Sequence, residues 1–374
     1  MNMICIRIER EKEMKQAKKE ANLKMIRELS NAKGVAGFED EVVKLLRGYS
    51  EGLGEIREDT LRNLYIERKE NTGSRPIVQL DAHSDEVGFM VHSIRANGTL
   101  QMIPLGSWVN YNIPAHKVWV MNGDGEYISG IITSKPPHYM SEQEKNAAID
   151  IKQMSIDIGA TSKEEAIRDY RIRIGAPVVP YVDYEYDEMH DIMMGKAFDN
   201  RLGCAGVIAT LQALEEEKLE VDVVVGIATQ EEVGARGSTV TTRMIKPDIA
   251  IVFEGCPADD TSVDSYEVQT AIKKGPMLRH MDAKMITNPR FQRFALDLAA
   301  KCNIPVQEAV RAGGSTNGSV IHLTHQGIPT IVIGVPVRYA HTHYGISTYY
   351  DYENAVKLAT ELLKAINEDI IRSF

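Results

Sequence analysis

Segments that are apolar at almost every position constrain the fold of this chain more than any other feature of its sequence. The longest covers residues 221–229, and shorter ones cover 249–253 and 330–333. A strand with one face in water alternates apolar and polar residues, whereas a parallel strand that is covered on both faces is apolar throughout. The sequence therefore predicts an α/β fold in which helices cover both faces of a sheet.

The pattern changes between about residues 90 and 182. Short alternating runs, such as 100–103 and 117–121, are separated there by turn-forming residues such as Asn97-Gly98. This pattern is typical of strands joined by tight turns. A chain of 374 residues also exceeds one ordinary hydrophobic core. We therefore predict an α/β domain made of residues 1–89 and 183–374, interrupted by a small β domain at 90–182.

Helical patterns flank the apolar segments. Apolar residues recur at the three-to-four-residue spacing that places them on one face of a helix. These patterns predict helices at about residues 11–29, 201–217, 318–326 and 351–371.

The composition excludes several classes of protein. The formal net charge is −10, which argues against nucleic acid as a partner because phosphate binding requires clustered lysine and arginine. No segment approaches about 18 consecutive apolar residues, so no membrane-spanning helix is predicted. The four cysteines are far apart in sequence, which favours free thiols. The N-terminal segment lacks the apolar core of a secretory signal, so we expect a cytoplasmic protein.

Acidic residues and histidines follow or interrupt the strand-like segments. Because the carboxyl ends of strands in an open α/β sheet meet at one edge, these side chains are expected to lie together there. Two imidazoles and several carboxylates suit a pair of divalent ions, which needs about five protein ligands and open positions for water. The set predicts a two-metal hydrolase. Its candidate residues are His83, Asp199, Glu231, Glu232, Glu254 and His341.

Each of these residues also has a purely structural interpretation. His83 is followed by Asp85, as expected for a metal-bound histidine whose second ring nitrogen is held by a carboxylate, but histidines at strand ends are also common packing residues. Asp199 precedes a helix and could cap its N-terminus. Alternatively, Asn200 caps the helix and leaves both oxygens of Asp199 free to bind metal.

The remaining candidates are open to similar alternatives. Glu231 and Glu232 would face opposite ways on an extended strand, but glycines follow them, so the chain is expected to turn and both can converge. They could instead form a solvated acidic turn. Glu254 could be a surface acid at the end of its strand, and His343 could compete with His341 as a ligand.

Several separated motifs carry a family resemblance. They lie at residues 132–138, 157–160, 195–201 and 332–341. Together with the candidate metal residues, they make the chain resemble the M42 family of metallo-aminopeptidases, which includes glutamyl, deblocking and tetrahedral (TET) enzymes. The similarity covers nearly the whole chain after about residue 22.

The resemblance implies a fold and a site. The fold is a mixed-sheet α/β/α sandwich of the zinc-peptidase (phosphorylase/hydrolase-like) type, with residues 90–182 as an inserted, small β-barrel-like dimerisation domain. The site would hold two divalent ions per subunit, zinc or cobalt. The implied ligands are His83, Asp199 and Glu254 for one ion, and Asp199, Glu232 and His341 for the other; Glu231 would be the general base and Asp85 would orient His83.

The implied activity is metal-dependent hydrolysis of the N-terminal residue of peptides. Dimers in the family often assemble into hollow dodecamers, so a homo-oligomer is expected. One rival function is a glycoside hydrolase of the endoglucanase type, since two carboxylates could perform that chemistry, although it needs no pair of metal-binding histidines. Another rival is a non-catalytic assembly protein with a vestigial metal site, which would have no use for Glu231.

Two positions depart from the family pattern. Glu254 stands where the family commonly has an aspartate, and its side chain is one methylene longer. Asn317 replaces an acid, which we expect to change the charge of the substrate pocket. The preferred N-terminal residue stays open: Arg236, Arg311 and Arg338 could each favour acidic side chains or could be ordinary surface charges.

Overall fold

The computed structural model describes residues 3–147 and 149–374, with side chains from residue 12 onward. Its helices are α1 Met3–Asn31, α2 Asp40–Tyr49, α3 Glu142–Lys145, α4 Lys163–Arg168, α5 Phe198–Ala213, α6 Arg236–Ile245, α7 Pro289–Lys301, α8 Gly318–Ile321, α9 Tyr349–Ala365 and α10 Glu368–Arg372. Its strands are β1 Gly54–Glu58, β2 Leu64–Arg68, β3 Ile77–His83, β4 Gly88–Ile94, β5 Leu100–Leu105, β6 Lys117–Met121, β7 Tyr127–Ile132, β8 Ile156–Asp157, β9 Pro177–Pro180, β10 Glu185–Asp187, β11 Ile192–Gly195, β12 Asp222–Ala228, β13 Ile249–Pro257, β14 Met277–Met281, β15 Gln307–Val310, β16 Thr330–Val337 and β17 Gly345–Ser347.

A large mixed sheet with the strand order β1-β2-β12-β3-β13-β16-β14-β15 forms the centre of the fold. Its middle strands β12, β3, β13 and β16 run parallel to one another. These are the strands with the apolar sequences, and they are buried at nearly every position. Antiparallel strands flank them, since β2 pairs with β12 and β14 pairs with β16. The carboxyl ends of the four parallel strands therefore meet at one edge.

Helices cover both faces of this sheet. α5 packs on β3, β13 and β16 and also contacts α1 and α9. Ile251 and Phe253 of β13 belong to the large core shared with these helices, whereas Ala250 and Val252 pack with Ile321 of α8. Because successive side chains of a strand point to opposite faces, α5 and α8 lie on opposite sides of the sheet. The predicted α/β/α sandwich is confirmed.

A closed barrel with the strand order β4-β5-β8-β7-β6-β9 follows β3 in the chain. Its strands lie between Gly88 and Pro180, and it has a hydrophobic core of its own that includes Phe89, Val118 and Val178. After β9 the chain forms β10 and β11, which pair with the distant β17 in a small sheet, and then enters α5. The segment between β5 and β6 contacts the α/β part of the molecule.

Several helix bounds differ from the predicted ones. The helix expected at 318–326 ends at Ile321, and His325 and Gly327 adopt positive φ in the turns that follow it. The helix expected at 351–371 is two helices: Asn367 interrupts it, and its side chain accepts a hydrogen bond from the backbone N–H of Ile370. The helix expected at 201–217 is α5, which begins three residues earlier and ends four residues earlier.

Two further expectations concern the whole chain. Cys204, Cys256 and Cys302, the cysteines whose side chains are described, are free thiols; Cys5 lies outside the described side chains. Over the described ranges, no helix has the length and apolar character needed to cross a lipid bilayer.

Candidate metal centre

The candidate residues lie at the carboxyl edge of the parallel strands. His83 is the last residue of β3, Glu231 and Glu232 follow β12, and His341 follows β16. Glu254 was expected after its strand, but β13 continues to Pro257 because its pairing with β16 persists that far. Its side chain therefore projects from within the sheet and is buried, so the alternative of a surface acid at a turn is wrong.

Asp199 lies in an irregular turn at the start of α5. Asp199 and Asn200 have non-helical backbone angles, and the peptide bond between them is cis. The Asn200 side chain accepts a hydrogen bond from the backbone N–H of Gly203 at 3.1 Å and donates one to the carbonyl oxygen of Phe253 at 2.8 Å. Asn200 thus takes the capping role, and the carboxylate of Asp199 faces the other candidate residues.

A glycine allows this turn to lie against the sheet. A Cβ atom placed on Gly255 would lie 2.4 Å from the carbonyl oxygen of Phe198 and 2.6 Å from the Cα atom of Asp199. These distances are far below van der Waals contact, and the obstructing atoms belong to the backbone, which cannot move aside as a side chain can. The absence of a side chain at position 255 therefore lets Asp199 approach Glu254.

His83, Asp199 and Glu254 form one group of potential metal ligands, which we call the inner group. His83 Nε2 lies 3.1 Å from Asp199 Oδ1 and 3.3 Å from Glu254 Oε1. Its Nδ1 lies 3.2 Å from the carbonyl oxygen of Asp85. A proton on Nδ1 donated to that carbonyl leaves Nε2 free to bind a metal.

Asp199, Glu232 and His341 form a second group, which we call the outer group. His341 Nε2 lies 3.3 Å from Asp199 Oδ2 and 3.6 Å from Glu232 Oε2. Its Nδ1 lies 3.0 Å from the carbonyl oxygen of Ser107, so this ring also presents Nε2 to the acids. Asp199 contributes one carboxylate oxygen to each group.

Asp85 contacts more than His83. Its carboxylate accepts hydrogen bonds from the backbone N–H groups of Glu231, at 2.9 Å, and Glu232, at 3.0 Å. Its Oδ1 lies 3.4 Å from His83 Nδ1. Gln230 before this turn has a positive φ, so the chain bends as expected and both glutamate side chains line one pocket. The alternative of a solvated acidic turn is wrong.

The pKa values within the centre reflect an excess of buried acids. Burial and neighbouring carboxylates raise the pKa of Glu231, Glu232 and Glu254. Burial alone would lower the pKa of His83 and His341, but the adjacent carboxylates raise both above the usual range of histidine. The centre thus brings together more carboxyl groups than its two histidines can neutralise, and without a cation these carboxyl groups hold their protons more tightly than usual.

These residues fit divalent cations. Among the described residues, Glu232 Oε1 and Glu254 Oε2 are buried and have no hydrogen-bond partner. A buried carboxylate oxygen without a partner is costly, and a bound cation would satisfy it. The two groups offer imidazole nitrogens and carboxylate oxygens, which suit zinc, cobalt or manganese.

His343 lies away from the centre. His341 has a positive φ, so the chain is not extended there and the two imidazoles do not point the same way. The ring of His343 is buried and stacks on His116, with ring centroids 4.0 Å apart. Its burial and the charge of His116 lower the pKa of His343 to about 3. The competition with His341 that we considered does not occur.

A pocket of about 670 Å³ opens onto the centre. Its lining includes Asp199, Glu231, Glu232, Glu254 and His341, together with residues 313–315, Arg279, Lys284 and Arg311.

The arginines considered earlier differ in position. Arg311 lines this pocket and also lies 3.4 Å from Asp259 Oδ2. Arg338 is held by Asp260 through two hydrogen bonds of 2.6 and 2.9 Å. Arg236 is exposed at the start of α6.

Asn317 is not a pocket residue. It is fully buried, and its Nδ2 donates a hydrogen bond to Asp81 Oδ1 at 2.7 Å. Gln79 donates to the other oxygen of Asp81 at 2.9 Å. An acid at position 317 would lie against the Asp81 carboxyl group, so the amide removes a charge from the interior. The expectation that Asn317 changes the charge of the substrate pocket is wrong.

Sequence reasoning did not identify Ser107, Arg279 and Lys284. Ser107 contacts His341 through its backbone carbonyl. Because every residue type has this group, the sequence gives no sign of the contact. Arg279 is buried and paired with Asp282 at 3.1 Å. An arginine followed three residues later by an aspartate at a strand end was the only available hint.

The chain is similar in sequence to known aminopeptidases. The family described as M42 glutamyl aminopeptidase matches residues 63–358. The chain is 29% identical over 345 residues to the glutamyl aminopeptidase of Lactococcus lactis, a match covering 92% of this chain and 96% of the relative. It is 28% identical over 350 residues to the lysyl aminopeptidase of Pyrococcus furiosus, covering 91% and 96%.

A solved structure shows the same architecture. The TET aminopeptidase from a marine sediment archaeon of the Thaumarchaeota superposes with a TM-score of 0.91 at 33% sequence identity. The match covers 95% of this chain and 99% of that chain. The similarity therefore includes both the sheet that carries the candidate residues and the barrel.

Proposed function

Because the chain belongs to the M42 glutamyl aminopeptidase family, we propose that it removes N-terminal residues from peptides by a mechanism that uses two divalent ions and Glu231 as the general base. The observation that carries this proposal is the sharing of Asp199 by two adjacent ligand groups, with Glu231 lining the same pocket. We propose zinc or cobalt as the ions.

The inner group would hold one ion and the outer group the other. Bound divalent ions supply Lewis acidity, which polarises a peptide carbonyl and lowers the pKa of water. Glu231 takes the proton of the attacking water and transfers it to the leaving nitrogen. Asp85 fixes the position of Glu231 by accepting the hydrogen bond from its backbone N–H. Asp85 also lies beside His83 Nδ1 and orients that ring.

A centre with two divalent ions would favour chain ends. A fraction of peptide α-amino groups is unprotonated at neutral pH, and in that form the group would be a nitrogen ligand for one of the ions. An internal peptide bond has no such group. The site therefore acts on one N-terminal residue at a time.

The basic residues of the pocket indicate which substrates bind best. Arg279 is buried, and its Nε has no hydrogen-bond partner among the described residues. Arg311 donates a hydrogen bond to the carbonyl oxygen of Pro257 at 2.9 Å, and Arg279 and Arg311 line the same pocket as Glu254. We propose that these guanidinium groups receive a carboxylate, such as the side chain of an N-terminal glutamate.

Oligomer formation is also proposed. The outside of the barrel exposes large apolar side chains, including Val109, Tyr111, Ile131 and Tyr139. Exposed apolar surface of this kind marks protein interfaces. Together with the similarity to a TET aminopeptidase, this supports a homo-oligomer built from dimers that contact through the barrel.

The deciding experiment measures hydrolysis of aminoacyl-p-nitroanilides by the purified protein before EDTA treatment, after it, and after zinc or cobalt is added back. We expect cleavage that EDTA abolishes and metal restores. Glu231→Gln should reduce kcat by about 10²–10⁴-fold while the metal content stays unchanged. Glycoside hydrolysis or a non-catalytic assembly role would produce no metal-restored cleavage of any of these substrates.

A further inference from the structure

The segment that joins β5 to the rest of the barrel lies against the metal centre. This segment, Gly106-Ser107-Trp108, which we call the 106–108 loop, directly follows β5. The carbonyl oxygen of Ser107 lies 3.0 Å from His341 Nδ1. A ligand belonging to the α/β part is therefore oriented by the backbone of the barrel.

The same loop contacts a second ligand. Gly106 has a φ of +81°, and a Cβ atom placed there would lie 3.1 Å from Glu232 Oε2 and 2.7 Å from Val87 Cγ1. The loop backbone thus packs directly on the Glu232 carboxylate. His341 and Glu232 are the two ligands that distinguish the outer group from the inner group.

A stack of rings fastens the loop to the segment that carries His341. The ring of His343 lies between two barrel residues: its centroid is 4.0 Å from that of His116 and 5.2 Å from that of Trp108. Trp108 also donates a hydrogen bond from Nε1 to the carbonyl oxygen of Gly88 at 3.2 Å. Among the described residues, neither ring nitrogen of His343 has a side-chain partner, so this buried ring contributes by packing.

The segment around His341 needs such support. Tyr339 and His341 both have φ near +61°, a strained conformation for a residue with a side chain, which persists only when surrounding contacts impose it. The stacked rings of Trp108, His343 and His116 provide contacts on the C-terminal side of His341.

We propose that the 106–108 loop is a positioning element of the outer group, so that changes in the barrel weaken metal binding at that group and leave the inner group nearly unaffected. The proposal rests on the proposed function only in assuming that both groups bind cations. Trp108 is a positioning residue in this scheme, because it acts through His343 and the loop backbone.

The test is a titration of metal-free protein with Co²⁺, followed by calorimetry and by the visible absorption of the bound ion. The wild type should bind two ions per chain, and His341→Ala identifies the outer step because it removes that step. Trp108→Ala should raise the Kd of the outer step by about 10–100-fold, the usual effect of losing a group that orients a metal ligand. The Kd of the inner step should change less than threefold.

Two variants serve as matched controls. Trp119→Ala removes the other tryptophan, which is also half-buried in the barrel but stacks on Tyr181 instead, and it should leave both steps unchanged. Trp108→Phe should restore most of the outer affinity.

A second perturbation covers the case in which Trp108→Ala does not fold. Gly106→Ala adds a Cβ against Glu232 without emptying the barrel core, and it should also weaken only the outer step. Equal weakening of both steps, or no change in either, in the folded variants would overturn the proposal. A wild type that binds no cation would instead refute the proposed function.

Discussion

The inner and outer groups share Asp199 yet differ in how the protein holds them. The side chain of His83 is 1% exposed, whereas that of His341 is 34% exposed. His83 lies at the end of a central strand, and its Nδ1 contacts Asp85, two residues away. His341 lies in a loop with strained backbone angles, and its Nδ1 contacts Ser107, which belongs to another part of the fold.

The supports beneath the inner group come from the α/β part. Cys204 lies with its Sγ 3.0 Å from the carbonyl oxygen of His83, and Arg201 donates a hydrogen bond to the carbonyl oxygen of Ser84 at 2.8 Å. Arg201 and Lys196 also pair with the buried carboxylate of Glu86. His83, which is fixed by its own strand and by the helix behind it, does not depend on the barrel. His341, which is fixed by a loop contact from the barrel, does depend on it.

The largest effect should follow from removing the residue that both groups share. Asp199→Ala takes one carboxylate oxygen from each group, so we expect binding of both ions to weaken and activity to fall by about 10³-fold or more. The metal content of the dialysed protein measures the loss of binding, and hydrolysis of a p-nitroanilide measures the loss of activity. If one ion remained bound with wild-type affinity, the two groups would not share Asp199.

Removing the ligands that are not shared should separate the groups. His341→Ala should abolish the outer binding step and retain the inner one, because His83, Asp199 and Glu254 remain intact. His83→Ala should remove the inner step. Counting the Co²⁺ ions bound per chain by each variant checks this difference, and two variants with identical stoichiometry and affinities would contradict the division into two groups.

The buried ion pairs predict a further difference, this time in stability. Lys196 Nζ lies 2.6 Å from Glu86 Oε1. Lys196→Met removes the shorter of the two charge contacts of the buried Glu86 carboxylate and leaves only Arg201, at 3.2 Å, so it should lower the free energy of unfolding by about 2 kcal/mol at pH 7. Urea unfolding of the metal-free protein measures this loss of stability. Lys69→Met, at an exposed lysine, is the control.

The same lysine predicts a pH dependence. Burial lowers the pKa of Lys196 from 10.5 to about 8. Between these values the unfolded chain binds a proton at this side chain that the folded protein does not, so the contribution of Lys196 to stability rises with pH. The stability difference between wild type and Lys196→Met should therefore grow from pH 8 to pH 10.5 and stay constant below pH 8. A difference that shrinks with rising pH would contradict the lowered pKa.

The smallest effect concerns the basic part of the pocket. Lys284 is exposed and, among the described residues, forms no ion pair. Lys284→Gln should lower kcat/KM for a glutamyl substrate by about threefold, in keeping with an exposed charge, and leave the glutaminyl substrate unchanged. Lys274→Gln, an exposed lysine outside the pocket, is the control. A wild type that cleaves both substrates equally well would refute the proposed carboxylate preference while leaving the aminopeptidase function intact.

The features that could be predicted from the sequence leave a local signal. The apolar run of β12 indicated a strand covered on both faces, and the polar residues directly after such runs indicated the edge where strands end. His83 followed its strand in this way. The turn at Glu231 could also be anticipated, because glycines follow the acidic pair.

The features that could not be predicted depend on distant residues. Glu254 lies inside β13 because pairing with β16 continues beyond the apolar run, and the run itself carries no information about its partner. Ser107 contributes a backbone carbonyl, which any residue could supply. The buried stack of His343 on His116 joins residues more than 200 positions apart, so neither histidine differs in sequence from a surface histidine.

Gly255 has a consequence at the level of the gene. Any missense change at this codon introduces a Cβ atom, and even the smallest, an alanine, would meet the backbone of Phe198 and Asp199 at less than 3 Å. Cys256, the next residue, is buried but carries no such constraint from the backbone that holds Asp199. In a library of random single substitutions selected for activity, position 255 should therefore return only its original residue, while position 256 accepts others of similar size.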